Sequence, residues 1–179
     1  MSLWHRWRQP ADPTSWLPAL VLMSDHGKNW AAYENGLYAH FKRDFIDTTP
    51  TFPLRRWSTK RRPESKGKAC TFWHIVSSSA DAASDDEDDR LPDLRRCERI
   101  RWPRPMIDDY MGKRLRWWRN RRGRSERLLI ATSNFSYVVI LEDRREYIML
   151  WTAYHVDRAH TRRKLQTDWE RYHQAAKGP

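Results

Sequence analysis

Large apolar residues recur at helical spacing near the start of the chain. Between residues 29 and 46 they fall three or four positions apart, which places them on one face of an amphipathic helix. That face consists of Trp30, Tyr33, Leu37, Phe41 and Phe45. Asp47 and Pro50 end the pattern, and we interpret the aromatic stripe as core. Residues 1–27, with their prolines and one short apolar run, predict an extended arm that packs on the body.

The middle of the chain alternates between polar segments and short apolar runs. Residues 50–69 are a basic loop, and the run CTFWHIVS at residues 70–77 predicts a buried strand that carries His74. Residues 78–92 are small and polar and then strongly acidic, which predicts a mobile loop. Two short helices are predicted to follow, at residues 94–101 and at residues 106–111, with prolines between them.

Four strand-like runs follow one another in the last third of the chain. They are rich in apolar and aromatic residues and span residues 114–123, 126–133, 137–142 and 147–154. Turn-length segments join the last three runs, so we expect an antiparallel meander. A polar, basic helix is predicted over residues 157–176. We therefore predict one α+β domain over residues 1–179, in which N-terminal helices pack on a four- to five-stranded, mainly antiparallel sheet and a C-terminal helix follows.

The net charge of the chain indicates the kind of partner that it binds. Lys and Arg number 34 against 23 Asp and Glu, which gives a formal net charge of +11. A field of that sign attracts polyanions, so nucleic acid is the first candidate partner and an anionic membrane surface the second. The 11 Trp, 7 Tyr and 5 Phe supply enough core area that disorder of the whole chain is not expected.

Other patterns argue against several kinds of site. No run approaches the roughly 18 apolar residues of a membrane helix, so no membrane partner is expected, and no secretory signal peptide is expected either. The two cysteines, Cys70 and Cys97, form no C-x-x-C pair, which gives no zinc motif and favours a reducing compartment, the cytoplasm. The chain contains no phosphate-binding glycine loop and no readable metal-ligand set, so we expect no cofactor and no metal.

Basic residues are interleaved with aromatic residues around residues 95–122. Guanidinium groups bind phosphates and aromatic rings stack on unpaired bases, so this pattern favours RNA binding. The residues expected to contact nucleic acid are Arg99, Arg101, Trp117, Trp118, Asn120 and Arg122. RNA carries its own nucleophile, the 2'-OH, and its cleavage needs only a base, an acid and cations around the phosphorane.

Three motifs are similar to those of a known group of proteins. They are TFWHI at residues 71–75, DLRRCERIRW at residues 93–102, and the run that ends in LWTAYHV at residues 150–156. In this order, after N-terminal helices, they resemble the small bacterial and phage ribonuclease-toxin domains of the barnase, EndoU, tRNA-cutting colicin and RelE-like superfamily. The resemblance covers about residues 66–165. It implies helices on a four-stranded antiparallel sheet and metal-independent RNA cleavage that leaves a 2',3'-cyclic phosphate.

The resemblance also implies roles for individual residues. His74 would be the general base or acid, Arg95 and Arg96 would hold the scissile phosphate, and Lys68 would offset charge in the transition state. Because the catalytic set of this group mixes His, Arg, Lys, Thr and Tyr, these assignments are hypotheses about each residue separately.

The end of the last predicted strand completes the implied site. Thr152 would offer a hydrogen bond and Tyr154 a second proton donor, while Arg144 and Arg145 are weaker candidates because they lie in a turn. The function predicted on this basis is a metal-independent endoribonuclease, as a toxin or as a phage or mobile-element defence protein. An acidic antitoxin or immunity protein is then a candidate partner.

Two other functions stay open. A non-catalytic nucleic-acid-binding module would use the same basic and aromatic residues and would not need His74. An interaction or inhibitor protein would use the acidic run within residues 78–92 and the proline-containing arm instead. The sequence predicts neither the RNA target nor the oligomeric state.

Overall fold

The last third of the chain forms most of one five-stranded sheet. The computed structural model describes residues 12–52, 55–79, 90–123 and 125–176. In these residues the sheet has the strand order β1-β7-β6-β5-β4, and its strands are β1 (Arg56–Ser58), β4 (Leu115–Arg122), β5 (Ser125–Thr132), β6 (Tyr137–Asp143) and β7 (Tyr147–His155). Strands β4 to β7 are antiparallel, and β1 pairs in parallel with β7. The predicted α+β class and the antiparallel meander are confirmed.

Helices cover both faces of this sheet. One face, which we call the four-helix face, carries Leu128, Ile130, Val139 and Leu141. These side chains share a core with α1 (Trp30–Lys42), α2 (Cys70–Val76), α3 (Leu94–Glu98) and α4 (Pro103–Asp108). The opposite face, which we call the α5 face, carries Trp118, Leu129, Val138 and Ile140, and packs against α5 (Ala159–Ala176).

The aromatic stripe in the first third forms the predicted helix. Asn29 caps α1 by accepting a hydrogen bond from the Ala32 amide at 3.0 Å. Its core face is confirmed, with Tyr33, Leu37 and Phe41 fully buried. A π-helical turn, Arg43–Asp47, extends the helix to the predicted end.

Part of the predicted N-terminal arm is described, and it packs on the body. Within residues 12–27, Leu17 and Val21 are buried and Met23–His26 form a 3-10 helix. The Val21 amide donates to the Glu98 carbonyl at 2.9 Å, which ties the arm to α3. Residues 1–11 lie outside the described residues.

The predicted strand at residues 70–77 is wrong, because this run forms α2. Its residues are β-branched and aromatic, but a seven-residue apolar run has too little periodicity to separate a strand from a buried helix. The helix buries Phe72, Ile75 and Val76 together, whereas a strand would have placed Phe72 and Ile75 on opposite faces. His74 therefore projects from the last turn of a helix.

The remaining segments refine the predictions. The basic loop at residues 50–69 contains β1, and the first of the two short helices is confirmed as α3. The second begins at Pro103 rather than near Met106, because proline suits the first position of a helix. A small two-stranded sheet joins β2 (Ser77–Ser79) and β3 (Arg90–Pro92).

Two further points bear on the partner predictions. Most of the predicted acidic loop, residues 80–89, lies outside the described residues. In the part of the chain that is described, no helix has both the length and the apolar character needed to cross a bilayer.

Candidate nucleic-acid interface

One edge of β7 is where the candidate site residues meet. Strand β1 pairs only with Tyr147, Ile148 and Met149, so the later residues of β7 face α2 and α3 at this edge. Thr152 Oγ1 donates a hydrogen bond to the His74 carbonyl at 2.9 Å. Arg96 Nη1 reaches the same carbonyl at 3.1 Å and Thr152 Oγ1 at 3.3 Å. One arginine thus joins α3 to the end of α2 and to the edge of the sheet.

A β-bulge in β7 shapes this edge. Leu141 pairs with Leu150 and Ile140 pairs with Thr152, which leaves Trp151 as the extra residue. Bulges bend a strand and redirect its side chains, and they are frequent beside active sites. The indole of Trp151 lies 5.3 Å from the His74 ring and 5.4 Å from the Arg127 guanidinium, measured to ring centroids. The indole therefore connects α2 to the α5 face.

Arginines surround the phenol of Tyr154. The Arg96 guanidinium lies over its ring at 5.2 Å. Burial raises the pKa of Tyr154 above its ordinary value, although the charges of Arg96, Arg122 and Arg127 oppose this rise. The phenol therefore stays protonated near neutral pH, and three guanidinium groups act on it. A protonated hydroxyl among cations can donate a hydrogen bond to a bound anion.

Two of these arginines are partly buried. Burial lowers the pKa of both Arg96 and Arg127, but arginine remains charged in proteins. Their Nε atoms are buried out of reach of a ligand, and Arg96 Nε lies 3.5 Å from an Asp93 carboxylate oxygen. A phosphate would therefore be bound through the Nη atoms of these planar guanidinium groups.

A cleft opens from Tyr154 between the α5 face and α5. Its volume is about 400 Å³, within the range of about 300–1,000 Å³ that is common for ligand sites. The lining residues include four cations, Arg121, Arg122, Arg127 and Lys164, and the apolar residues Leu129, Ile140 and Leu165. Asn120, Thr161 and Asp168 complete the polar part of the lining. The cleft thus combines positive charge with a partly apolar lining.

Most of the predicted catalytic residues lie in this region. The structure brings three of them together, Arg96, Thr152 and Tyr154, and the backbone carbonyl of His74 joins them, while the His74 ring lies against Trp151. Two predicted RNA-binding residues, Asn120 and Arg122, line the adjoining cleft. His74 reaches the site from α2 rather than from a strand.

Lys68 and Arg95 have different surroundings. Lys68 Nζ lies 2.8 Å from Glu34 Oε1, with only 11% and 12% of the two side chains exposed, so this lysine is held in an ion pair against α1. Arg95 pairs with Asp157, whose Oδ1 atom also lies 2.8 Å from His155 Nδ1. Both cations thus have carboxylate partners within the protein, and their proposed catalytic roles stay predictions.

The remaining predicted residues divide between core and surface. Trp118 is fully buried, so it cannot stack on a base, and that prediction is wrong. Trp117 is half-buried and packs against Tyr110 and His173. Its ring is therefore largely covered by other residues of the protein.

Four arginines from the predictions also have protein neighbours. Arg99 lies over Trp102 at 5.1 Å, and the charge of Arg101 adds to burial in lowering the pKa of His40. Arg144 pairs with Glu142 at 3.0 Å, and the Arg145 amide bonds to Asp143. Arg99, Arg144 and Arg145 thus have partners within the protein, whereas RNA binding by Arg101 stays a prediction.

Two important residues, Arg127 and Trp151, were not predicted. Arg127 pairs with Asn120 and Glu142 across the sheet, which sets it on the α5 face two positions before Leu129. This placement depends on the strand register, although the alternation in β5 was a usable signal. Trp151 follows Leu150 of the four-helix face, so strand alternation places it on the α5 face.

No family model, no curated protein and no solved structure matches this chain in the comparisons with known proteins. The resemblance to ribonuclease toxins therefore stays a prediction that depends on the motifs. Among the described residues, no three His, Cys, Asp or Glu side chains are grouped so as to hold a metal ion.

Proposed function

We propose that this protein is a metal-independent endoribonuclease that cleaves RNA at the β7 edge. The observation that supports this proposal most strongly is the position of Tyr154, which lies under Arg96 and lines a cleft with Arg122 and Arg127. The His74 ring lies nearby against Trp151. A protonated phenol, an imidazole and several guanidinium groups can supply the acid, the base and the positive charge that such a reaction requires.

The proposed reaction uses only groups that RNA and the protein supply. The 2'-oxygen attacks the adjacent phosphorus, and its proton passes to a general base. The bond from phosphorus to the 5'-oxygen breaks, and this leaving oxygen takes a proton from a general acid. The products are a 2',3'-cyclic phosphate and a free 5'-hydroxyl, so no oxidant, cofactor or metal enters the balance.

The residues have distinct parts in this scheme. Arg96 and Arg127 bind the phosphate and stabilise the charge that develops on the phosphorane. Tyr154 donates a proton to the leaving oxygen, and His74 takes the proton of the 2'-OH. Thr152 positions Arg96 and the end of α2 through its two hydrogen bonds.

A non-catalytic RNA-binding module is the second candidate. The basic cleft favours this function, because cations can bind a polyanion without any proton transfer. An interaction function would use the acidic run, which lies mostly outside the described residues. An acidic partner protein and a cytoplasmic location stay predictions.

The test is RNA cleavage in EDTA by wild-type protein and by Tyr154→Phe, with the products resolved on a denaturing gel and their ends identified. We expect cyclic phosphate ends from wild type and a rate about 100-fold lower for Tyr154→Phe, since general acid catalysis contributes about 10²–10⁴. Tyr172→Phe, which removes a phenol from α5 away from the arginines, is the matched control and should cleave normally.

A second variant tests the base. His74→Ala should lose cleavage and keep its circular dichroism spectrum. Uncut RNA with wild-type protein, together with a band shift that weakens steeply with salt, would replace the enzyme by the binding module.

A further inference from the structure

The cleft that adjoins Tyr154 has features that a phosphate site alone does not need. Part of its lining is apolar, because Leu129, Ile140 and Leu165 border it at the edge of the core under α5. A phosphate gains nothing from apolar surface, whereas the flat face of a nucleobase does. The arginines lie on the same cleft, so a backbone phosphate and its neighbouring base can bind together.

The polar lining of the cleft also suits a base. Asn120 carries both donors and an acceptor, Thr161 carries a hydroxyl, and Asp168 accepts hydrogen bonds. Asp168 is the one carboxylate among the described lining residues, and a carboxylate repels a phosphate. Its Oδ1 atom lies 3.8 Å from Arg171 Nη1, and its remaining lone pairs can accept from the amino or imino groups on the edge of a base. The lining thus offers cations for a phosphate and, next to them, an amide and a carboxylate for a base edge.

We propose that this cleft binds one unpaired nucleobase next to the scissile phosphate, so that the substrate is single-stranded RNA. A paired base has its edge occupied and both faces stacked, and it cannot enter a cleft between a helix and a sheet without being turned out of the duplex. The inference rests on the ribonuclease function proposed above, since it places the base relative to the phosphate that is cut.

The test measures binding separately from cleavage. The probe is a short, fluorescein-labelled 2'-O-methyl RNA, which cannot undergo attack by the 2'-oxygen, and its affinity is compared with that of a series carrying one abasic site at each position in turn. We expect wild-type protein to bind one member of the abasic series about tenfold more weakly than the intact strand. A duplex of the same sequence should bind more weakly than the single strand.

Two tryptophan substitutions on α5 locate the effect. Thr161→Trp fills the cleft without removing a core side chain, and it should abolish the difference between the intact and abasic strands. Thr167→Trp places the same ring on an exposed part of the helix and should keep the difference. Asn120→Ala, on the exposed end of β4, is a second cleft variant that should reduce the difference.

The outcomes separate the two proposals. Equal binding of all the abasic strands, an unchanged difference in Thr161→Trp and Asn120→Ala, or tighter binding of the duplex would each overturn the base site, even if unmodified RNA is cleaved. Base-dependent binding that Thr161→Trp abolishes would support the base site, even if unmodified RNA stays uncut and the ribonuclease function fails.

Discussion

At one end of the sheet, both faces carry arginines, and the two faces hold them differently. On the four-helix face, Arg119 Nη1 lies 2.8 Å from Asp143 Oδ2, and Arg55 lies 3.7 Å from the same oxygen. One carboxylate therefore binds both of these guanidinium groups. On the α5 face, Arg127 lies over Trp151 and lines the cleft. An ion pair occupies the Nη1 donor of Arg119, whereas Arg127 is oriented by stacking on a ring beside the cleft.

The packing of the two faces differs in the same way. Four helices bury the first face, and its strand residues Ile130 and Leu141 are fully enclosed. One helix covers the second face, and its apolar residues Leu129 and Ile140 border a cleft. A fully packed face stabilises the fold, while a partly covered face leaves room for a ligand.

The largest expected effect is on the free energy of unfolding, and it differs between two neighbouring residues of β5. Ile130→Ala should lower the free energy of unfolding by about 4 kcal/mol, because it leaves a cavity in a closed core. Leu129→Ala should cost only about 2 kcal/mol, because one side of Leu129 already borders the cleft. Urea unfolding of both variants measures the difference. Equal losses would mean that the two faces are packed alike.

The next effect separates the two kinds of arginine. Arg127→Gln should slow RNA cleavage by about 100-fold or more and leave stability nearly unchanged, because it removes a cation that acts on the transition state. Arg119→Gln should lower the free energy of unfolding and leave the cleavage rate nearly unchanged. It leaves Asp143, whose side chain is only 4% exposed, with a weaker partner. Cleavage rates and urea unfolding of the two variants measure this exchange of effects.

Arg116→Gln is the control for stacking itself. Arg116 lies over Trp169 at 5.2 Å, much as Arg127 lies over Trp151, but Arg116 does not line the cleft. It should cleave RNA at the wild-type rate. A loss as large as that of Arg127→Gln would show that stacking on the sheet, rather than contact with RNA, explains the effect.

The sequence predicted the parts of the fold whose patterns are long. Helix α1 carries a stripe over four turns, and the strands from β4 to β7 are joined by short turns, so local pattern and final structure agree. Helix α2 could not be predicted in this way, because seven apolar residues fit a strand or a helix equally well. Its form depends on packing against α1 and β7, which are distant in sequence.

The candidate site was predictable by residue type but not by position. Arg96, Thr152 and Tyr154 were predicted from their chemistry, and they meet because α3 lies against the open edge of β7. Trp117 and Trp118 show what strand alternation alone could have corrected. Adjacent strand residues face opposite sides, so the two rings belong to different faces and could not both stack on RNA.

A smaller effect concerns Lys68, which the sequence suggested for catalysis. Lys68→Met should destabilise the protein by about 2 kcal/mol, below the roughly 3–5 kcal/mol of a fully buried pair, because it leaves Glu34 with little solvent contact. Cleavage per folded molecule should be unchanged. The double variant Lys68→Met/Glu34→Leu should recover much of the stability. A slowed reaction in a stable Lys68→Met protein would return Lys68 to the catalytic site.

The smallest expected effect is on the pH dependence of stability and concerns His155. Its neighbour Tyr154 faces the other side of β7. Burial lowers the pKa of His155, and Arg99 and Arg162 lower it further, against the opposing effect of Asp157. Since the unfolded chain binds a proton near pH 6.5 and the folded one only at lower pH, stability is fully present above about pH 6.5 and is lost as the pH falls through the folded pKa.

His155→Gln should flatten this part of the stability profile measured by urea unfolding between pH 7 and pH 5. His40, whose pKa burial also lowers, should preserve some of the slope. The control His160→Gln, on the exposed side of α5, should leave the profile unchanged. An identical slope in His155→Gln would assign the pH dependence to His40 and leave His155 without a role in stability.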